Sequence, residues 1–304
     1  MPTRRQFLAA LPALAAAPAA LPAADAPKTG FRYCLNTSTI RADKLDLVAK
    51  IDIAAKAGYD GIEPWIREID DHVKSGGTTK DLARRIADKG LAVPSAIGFA
   101  AWIVDDEAQR NKGLEEAKRS MELVRQIGGT ALAAPPVGAT KEPGLDLQKA
   151  AERYRKLLEI GDQAGVTAEL EVWGFSRNLS RLGEVAYVAI ECGHPKACLL
   201  LDVYHLYKGG NDFNGLKQLN GGAMRAFHMN DYPAEPPRAA INDAQRVHAG
   251  DGVAPLKQIL RDLKQTGFQG YLSLELFNRD YWKQEPLAVA KTGLEKMKAA
   301  AAGV

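Results

Sequence analysis

The stretch ACLLLDVYHLYKGG, Ala197 to Gly210, decides the reading of the fold. It begins with the apolar run Leu199-Leu200-Leu201 and ends on an acid and an imidazole, Asp202 and His205. A short apolar run bounded by turn residues reads as a strand buried on both faces, the kind found in parallel sheets covered by helices. Polar groups therefore start where the strand stops, and in a closed barrel of parallel strands that end is the mouth, where active sites sit.

Three other strand-like runs finish in the same way. Thr167 to Trp173 carries Glu169 and Glu171, Met224 to His228 stops on a histidine, and Gly270 to Glu275 stops on a glutamate. Carboxylates and one imidazole thus gather at one rim. That oxygen-rich set suits a hard or borderline divalent ion, Mn²⁺ or Mg²⁺, better than a thiolate-seeking one. Singly, each residue reads as a strand-end acid or a core histidine. Together they need a counter-charge, because an unpaired buried ion costs several kcal/mol.

Working outward, the chain repeats a unit of helical pattern, glycine and apolar strand. Glycine junctions at Gly58, Gly90, Gly128, Gly165, Gly193, Gly221 and Gly267 each precede a candidate strand, with Leu91 to Gly98 among them. Phe31 to Asn36 stands in front and brings the strands to eight. Alternating strands and helices predict a parallel sheet, and eight units predict closure into a single-domain (β/α)₈ barrel of the α/β class. A doubly wound open sheet is the weaker alternative, since Leu35-Asn36-Thr37-Ser38-Thr39 after the first strand has no glycine-rich phosphate fingerprint. Leu45 to Ala57 and Leu256 to Leu263 carry apolar residues at helical spacing, as helices packed on the barrel wall do. The proline-bearing segment Asn230 to Asp251 is a long connection of the kind that covers a site.

Residues 1–26 read as a leader and 27–304 as the barrel. Thr3-Arg4-Arg5-Gln6-Phe7-Leu8 is a twin-arginine pattern, followed by an Ala/Leu/Pro run with no charge until Asp25, and Ala17-Pro18-Ala19 offers a small-x-small cleavage site. The expectation is export to the periplasm of a protein already folded around its metal. Of the formal net charge of +3, Arg4 and Arg5 account for two. The remainder is near neutral, which argues against nucleic acid and against a membrane surface beyond the leader. Three cysteines without CxxC spacing make neither a disulfide framework nor a zinc cluster. Cys192 and Cys198 could pair across a turn but read as structural or free.

Glu171, Asp202 with His205 three residues on, His228 and Glu275 stand in the order seen in the xylose-isomerase-like TIM-barrel superfamily of sugar (phosphate) isomerases and epimerases, which the chain resembles from about Phe31 onward. Arg246-Val247-His248-Ala249-Gly250-Asp251-Gly252 is similar to that superfamily's Arg-x-x-x-Gly-Glu-Gly loop, with aspartate in place of glutamate. The resemblance implies one divalent ion, manganese first with magnesium, cobalt or zinc as alternatives, held by Glu171, Asp202, His228 and Glu275. A chelated hydroxy-ketone would have its carbonyl polarised and its neighbouring C–H made acidic. Glu171 and Glu275, on opposite sides of the mouth, would pass the proton through an enediolate.

Glu171 is preferred to Glu169 because it lies nearer the mouth, with Glu169 as its support. Family position makes His205 a ligand for a substrate hydroxyl and sends Arg246 to the ligated oxygen; Lys208 could act similarly. Glu63 ends the second strand and either holds a hydroxyl or pairs with Arg67. Trp65, Trp102 and Trp173 fall near strand ends, where flat faces suit sugar rings. The expected activity is isomerisation or epimerisation of a free sugar or keto-sugar. A dehydratase or lyase acting by β-elimination on an inosose or a 3-keto-glycoside is the alternative. A nuclease of the AP endonuclease type would need more than the five histidines present, and a non-catalytic sugar-binding protein would not need four ligands. The expected partner is thus a small molecule, and assembly into a homo-oligomer is left open.

Overall fold

The computed structural model describes residues 30–41 and 45–304. The leader expected over residues 1–26 lies outside them. Phe31–Val304 forms one compact unit, and no helix among the described residues is long and apolar enough to cross a membrane.

Seven parallel strands form the wall: β1 (Arg32–Asn36), β2 (Gly61–Glu63), β3 (Ala131–Ala134), β4 (Thr167–Glu171), β5 (Cys198–Asp202), β6 (Ala226–Met229) and β7 (Tyr271–Leu274). Their order is β2-β1-β7-β6-β5-β4-β3, which brings the first and last units side by side. The eighth expected strand, Leu91 to Gly98, is not a regular strand. Pro94 has no N–H to give a ladder, and the segment closes the ring through single contacts instead. Ile62 N donates to Ala92 O at 2.9 Å on the β2 side, and Ala133 N donates to Ala96 O at 2.9 Å on the β3 side. The barrel is therefore closed, and the expected architecture stands with one strand corrected to an irregular segment hydrogen-bonded to its neighbours on both sides.

Helices α1 (Leu47–Ala57), α2 (Ile66–Lys74), α3 (Thr79–Asp88), α4 (Glu107–Gln126), α5 (Leu147–Ala164), α6 (Leu182–Glu191), α7 (Val203–Lys208), α8 (Leu256–Gln265) and α9 (Pro286–Ala301) surround the strands. Aspartates cap several of them: Asp46 accepts from Ala49 N at 2.8 Å and Asp106 from Gln109 N at 2.7 Å, satisfying amides that a helix start leaves open. Gly58 closes α1 at φ +92°, a conformation that L side chains rarely adopt. The junction at Gly221 behaves differently. Between β5 and β6 the full-length helix is replaced by the six-residue α7 and two 3₁₀ turns, Phe213–Gln218 and Gly221–Ala223. A Cβ on Gly221 would stand 2.2 Å from Phe268 N, so the close approach of chain to chain there demands glycine.

Cys192 and Cys198 are both free and buried, and the Cys198 thiol points to Ala168 O at 3.6 Å. The long segment after β6 is fixed at both ends. Asp231 and Val247 form an antiparallel bridge, and the Asp231 carboxylate accepts from the amides of Gly250, Gly252 and Ala254 at 2.9 to 3.1 Å.

Candidate metal centre and active site

Asp202 ends β5, His228 lies in β6 and Glu275 follows β7, so three neighbouring strands deliver their polar ends to one point. One ligand atom from each lies within 4.8 Å of the others, and all three side chains are buried. Asp202 also caps α7, accepting from His205 N at 2.7 Å, which fixes its carboxylate at the strand-to-helix turn.

The imidazole of His228 is held by its two edges. Nε2 lies 3.1 Å from Glu63 Oε2. Nδ1 faces Glu275 Oε2 at 3.3 Å and Asp202 Oδ2 at 3.6 Å but makes no hydrogen bond to either. A buried nitrogen without a partner, set between two carboxylates, is what a metal ligand looks like when its other nitrogen is engaged by an acid. Burial disfavours charge on the ring, yet Glu275, Glu63 and Asp202 outweigh it and hold His228 well above the usual imidazole range. In the metal-free protein a proton on Nδ1 thus takes the position that suits a divalent cation. The donor set of two carboxylates and one imidazole fits such an ion.

Glu171 ends β4 and is 4% exposed, but it stands outside that three-residue cluster. It lines the same cavity as Glu275, His205 and Arg246. Burial pushes its carboxyl up to about 8, with Glu275 and Asp202 adding to the shift and His228 opposing it. Of the four expected ligands, then, three converge and the fourth sits beside them as a buried carboxyl able to hold a proton near neutral pH. Glu169, two residues deeper, accepts from Arg225 N at 3.2 Å through one oxygen, while the other has no partner.

Arg246 is fully buried. Its Nη1 donates to Asp202 Oδ2 at 2.9 Å and to Glu275 Oε2 at 2.8 Å, and its Nη2 reaches Asp243 and His205 Nε2, the latter at 3.1 Å. The guanidinium can only donate, so His205 Nε2 accepts and Nδ1 carries the hydrogen, with no protein partner. Burial and the Arg246 charge hold His205 below the usual range, so the ring is neutral.

Three expected roles are corrected. Lys208 does not reach the site: its Nζ donates to the carbonyls of Arg238, Ala239 and Ile241 at 3.0, 2.9 and 2.7 Å, because its long stem lies under the 237–241 segment and satisfies oxygens that no strand or helix pairs. Glu63 neither lines the cavity nor pairs with the exposed Arg67; as the last residue of β2 it points into the barrel, where it accepts from Asn36 and the Ser273 hydroxyl and faces His228. Trp102 is packed against Tyr154 with its indole N–H on Pro135 O, so it is core. Trp65 and Trp173 do line the cavity, about 370 Å³ in volume.

Sequence reasoning missed Asn36, whose Nδ2 donates to Glu63 Oε2 at 2.8 Å and Glu275 Oε1 at 3.2 Å while its Oδ1 accepts from Trp65 Nε1 at 3.0 Å. The strand-end rule that found Asp202 applies equally to Leu35-Asn36. Phe99, Phe175, Phe277 and Trp282, which complete the cavity wall, were missed as well. A larger cavity of about 840 Å³ opens at the other end of the barrel, beside Arg32, Arg225 and Tyr271. None of the expected site residues lines it, so size does not locate the chemistry.

Among curated proteins the chain is similar to inosose isomerase of Bacillus velezensis, 28% identical over 278 residues that span 88% of this chain and 96% of that one. It is also similar to fructoselysine 3-epimerase of Escherichia coli O157:H7, 24% identical over 257 residues, 81% of this chain and 90% of that one. Among solved structures, IolI protein with a bound zinc atom superposes with a TM-score of 0.81 at 22% identity, covering 89% of this chain and 98% of that chain. A family model described as xylose isomerase-like TIM barrel matches residues 51–300, more than two thirds of the sequence, and the chain belongs to that family.

Proposed function

We propose that the protein is a divalent-metal-dependent isomerase or epimerase that moves a proton next to the carbonyl of a keto-sugar or cyclitol ketone. The observation that carries this reading is the convergence of Asp202, His228 and Glu275 on the unpartnered His228 Nδ1, beside the neutral-range acid Glu171. The names of the two curated relatives, an isomerase and an epimerase, support the reaction class, and the zinc atom in the IolI structure supports the metal. Manganese is our first choice for this chain, with magnesium, cobalt and zinc compatible with the same donors.

A divalent ion held by Asp202, His228 and Glu275, with Glu171 in reach, would polarise a ketone and acidify its neighbouring C–H. The protein supplies the rest. Glu171 and Glu275 approach from strands separated by β5 and β6, so one can take a proton while the other returns one from a different side. Burial tunes Glu171 close to working pH, where a proton is both held and released. His205 Nδ1–H is a free donor for a substrate hydroxyl. Arg246 holds Asp202 and Glu275 in register and offsets their charge. Were the substrate to carry a leaving group β to the deprotonated carbon, the same residues would eliminate it.

The test is solvent-proton exchange. The manganese-loaded protein, incubated in deuterated water with inososes and a panel of ketoses, should exchange a carbon-bound hydrogen next to the carbonyl. Glu171→Gln and chelation should each abolish it. Exchange indifferent to both would remove the basis for the reading, and loss of water from the substrate would identify a dehydratase. We further propose that the twin-arginine leader exports the folded protein; replacing Arg4 and Arg5 by lysine should then leave it inside fractionated cells.

A further inference from the structure

The cavity joins two unlike environments. Its floor is Glu171, Glu275, His205 and Arg246, all polar and all buried. Its wall is aromatic: Trp65, Phe99, Trp173 and Phe175 follow one another with ring centroids 5.1, 6.2 and 5.1 Å apart, and Phe175 stands 5.8 Å from His205. The row thus spans the wall from Trp65, bonded to the buried Asn36, to Phe175 beside His205, and opens to solvent at the rim through Phe99 and Phe175, 40% and 47% exposed. Clustered exposed aromatics on a monomer mark a surface that something covers.

A lone sugar ring does not account for this wall. One flat face over its C–H groups is enough for a hexose, whereas the row offers several successive rings. Nor does a second sugar. Its hydroxyls would need partners, and the row offers few: Trp65 Nε1 donates to Asn36 Oδ1 at 3.0 Å and the neighbouring Trp282 Nε1 to Ser38 O at 2.9 Å, which leaves the Trp173 indole N–H for several hydroxyls. Hydroxyls pressed against such a wall would be left unsatisfied, at a cost in affinity. A flat apolar group has no such requirement.

We infer that the substrate is an aryl glycoside: a keto-sugar ring seated on the carboxylate floor and joined to an aromatic aglycone that stacks along Phe99, Trp173 and Phe175. This rests on the reading that the floor acts on a keto-sugar.

The probes are the 3-keto derivatives of methyl and phenyl β-D-glucopyranoside, titrated calorimetrically into the manganese-loaded full-length protein. The phenyl compound should bind about tenfold more tightly, the effect of one well-stacked ring. Phe175→Ala and Phe99→Ala, both at half-exposed positions that leave the core intact, should each shrink that preference, and the double variant should bring it to about one. Equal affinity for the two compounds, no binding of either, or a preference that survives both substitutions would overturn the inference. So would sedimentation showing a dimer that Phe175→Ser dissolves, since a second copy would then cover the rim. Proton exchange on the methyl compound separates the two proposals: exchange without phenyl preference leaves the reaction standing and removes the aglycone, while phenyl preference without exchange does the reverse.

Discussion

Glu63 fixes His228 from across the barrel, its Oε2 lying 3.1 Å from His228 Nε2 although 165 residues separate the two in sequence. Burial opposes charge on Glu63, yet His228 and the bonds from Ser273 and Asn36 outweigh it and hold the carboxyl below its usual range. The carboxylate therefore accepts from Nε2–H, which leaves Nδ1, facing Asp202 and Glu275, as the nitrogen whose proton a metal ion would replace. A neutral amide at position 63 would keep the shape and lose the charge that makes the imidazole a strong donor. Glu63→Gln should weaken binding of Mn²⁺ or Zn²⁺ by about 10- to 100-fold, read by competition against a chromogenic chelator. Unchanged affinity would mean that Glu63 is only packing.

Arg246 is the permanent cation among buried carboxylates, and removing it should show how much of the fold depends on balancing them. Arg246→Met leaves Asp202 and Glu275 without their shared donor, a loss of about 3–5 kcal/mol for a broken buried pair. A divalent ion supplies charge at the same two carboxylates. Denaturant melts should show a larger deficit in chelator than in saturating Mn²⁺. Equal deficits in both would show that Arg246 and the ion do not share those carboxylates.

The parts legible in the sequence were those set by strand periodicity and strand ends. Asp202, His228 and Glu275 each follow an apolar run, and in a barrel a strand end has only one place to be. Arg246 was legible through the glycine-bearing loop around it. What escaped was decided by partners far apart in the chain. Nothing near Glu63 announces His228, and nothing near Lys208 announces the carbonyls of residues 238, 239 and 241. The Leu91 to Gly98 run has strand composition, but Pro94 at its centre breaks the ladder that composition would otherwise form. The aromatic wall was half seen, because Phe99 and Phe175 sit on irregular segments with no period to place them.

Glu171 should make the metal-free protein sensitive to alkali. Its carboxyl, about 8 in the folded chain against 4.5 ordinarily, keeps its proton where the unfolded chain has lost it. The folded state thus binds more protons in that window, so stability falls with rising pH. The contribution is fully present below about pH 4.5 and is lost as pH rises through about 8. In chelator, the melting temperature should decline across this range, and Glu171→Gln should flatten the decline. Saturating Mn²⁺ should oppose it, because ligand carboxylates give up their protons on binding metal. A Glu171→Gln profile parallel to wild type would place the titration elsewhere.

Lys208 acts on the site only through the backbone that carries Arg246. Its ammonium satisfies three carbonyls of residues 238–241, and the same segment continues through Asn242 and Asp243, which line the cavity. Lys208→Met keeps most of the stem's packing but leaves those oxygens to water, which they can reach only if the segment lifts. Amide hydrogen exchange over 237–245 should speed up while the strands stay protected. The Asp202, His228 and Glu275 cluster draws no support from this segment except through Arg246, so affinity for Mn²⁺ should change little and KM should rise more than kcat falls. A direct role on substrate oxygens would instead lower kcat and leave exchange untouched.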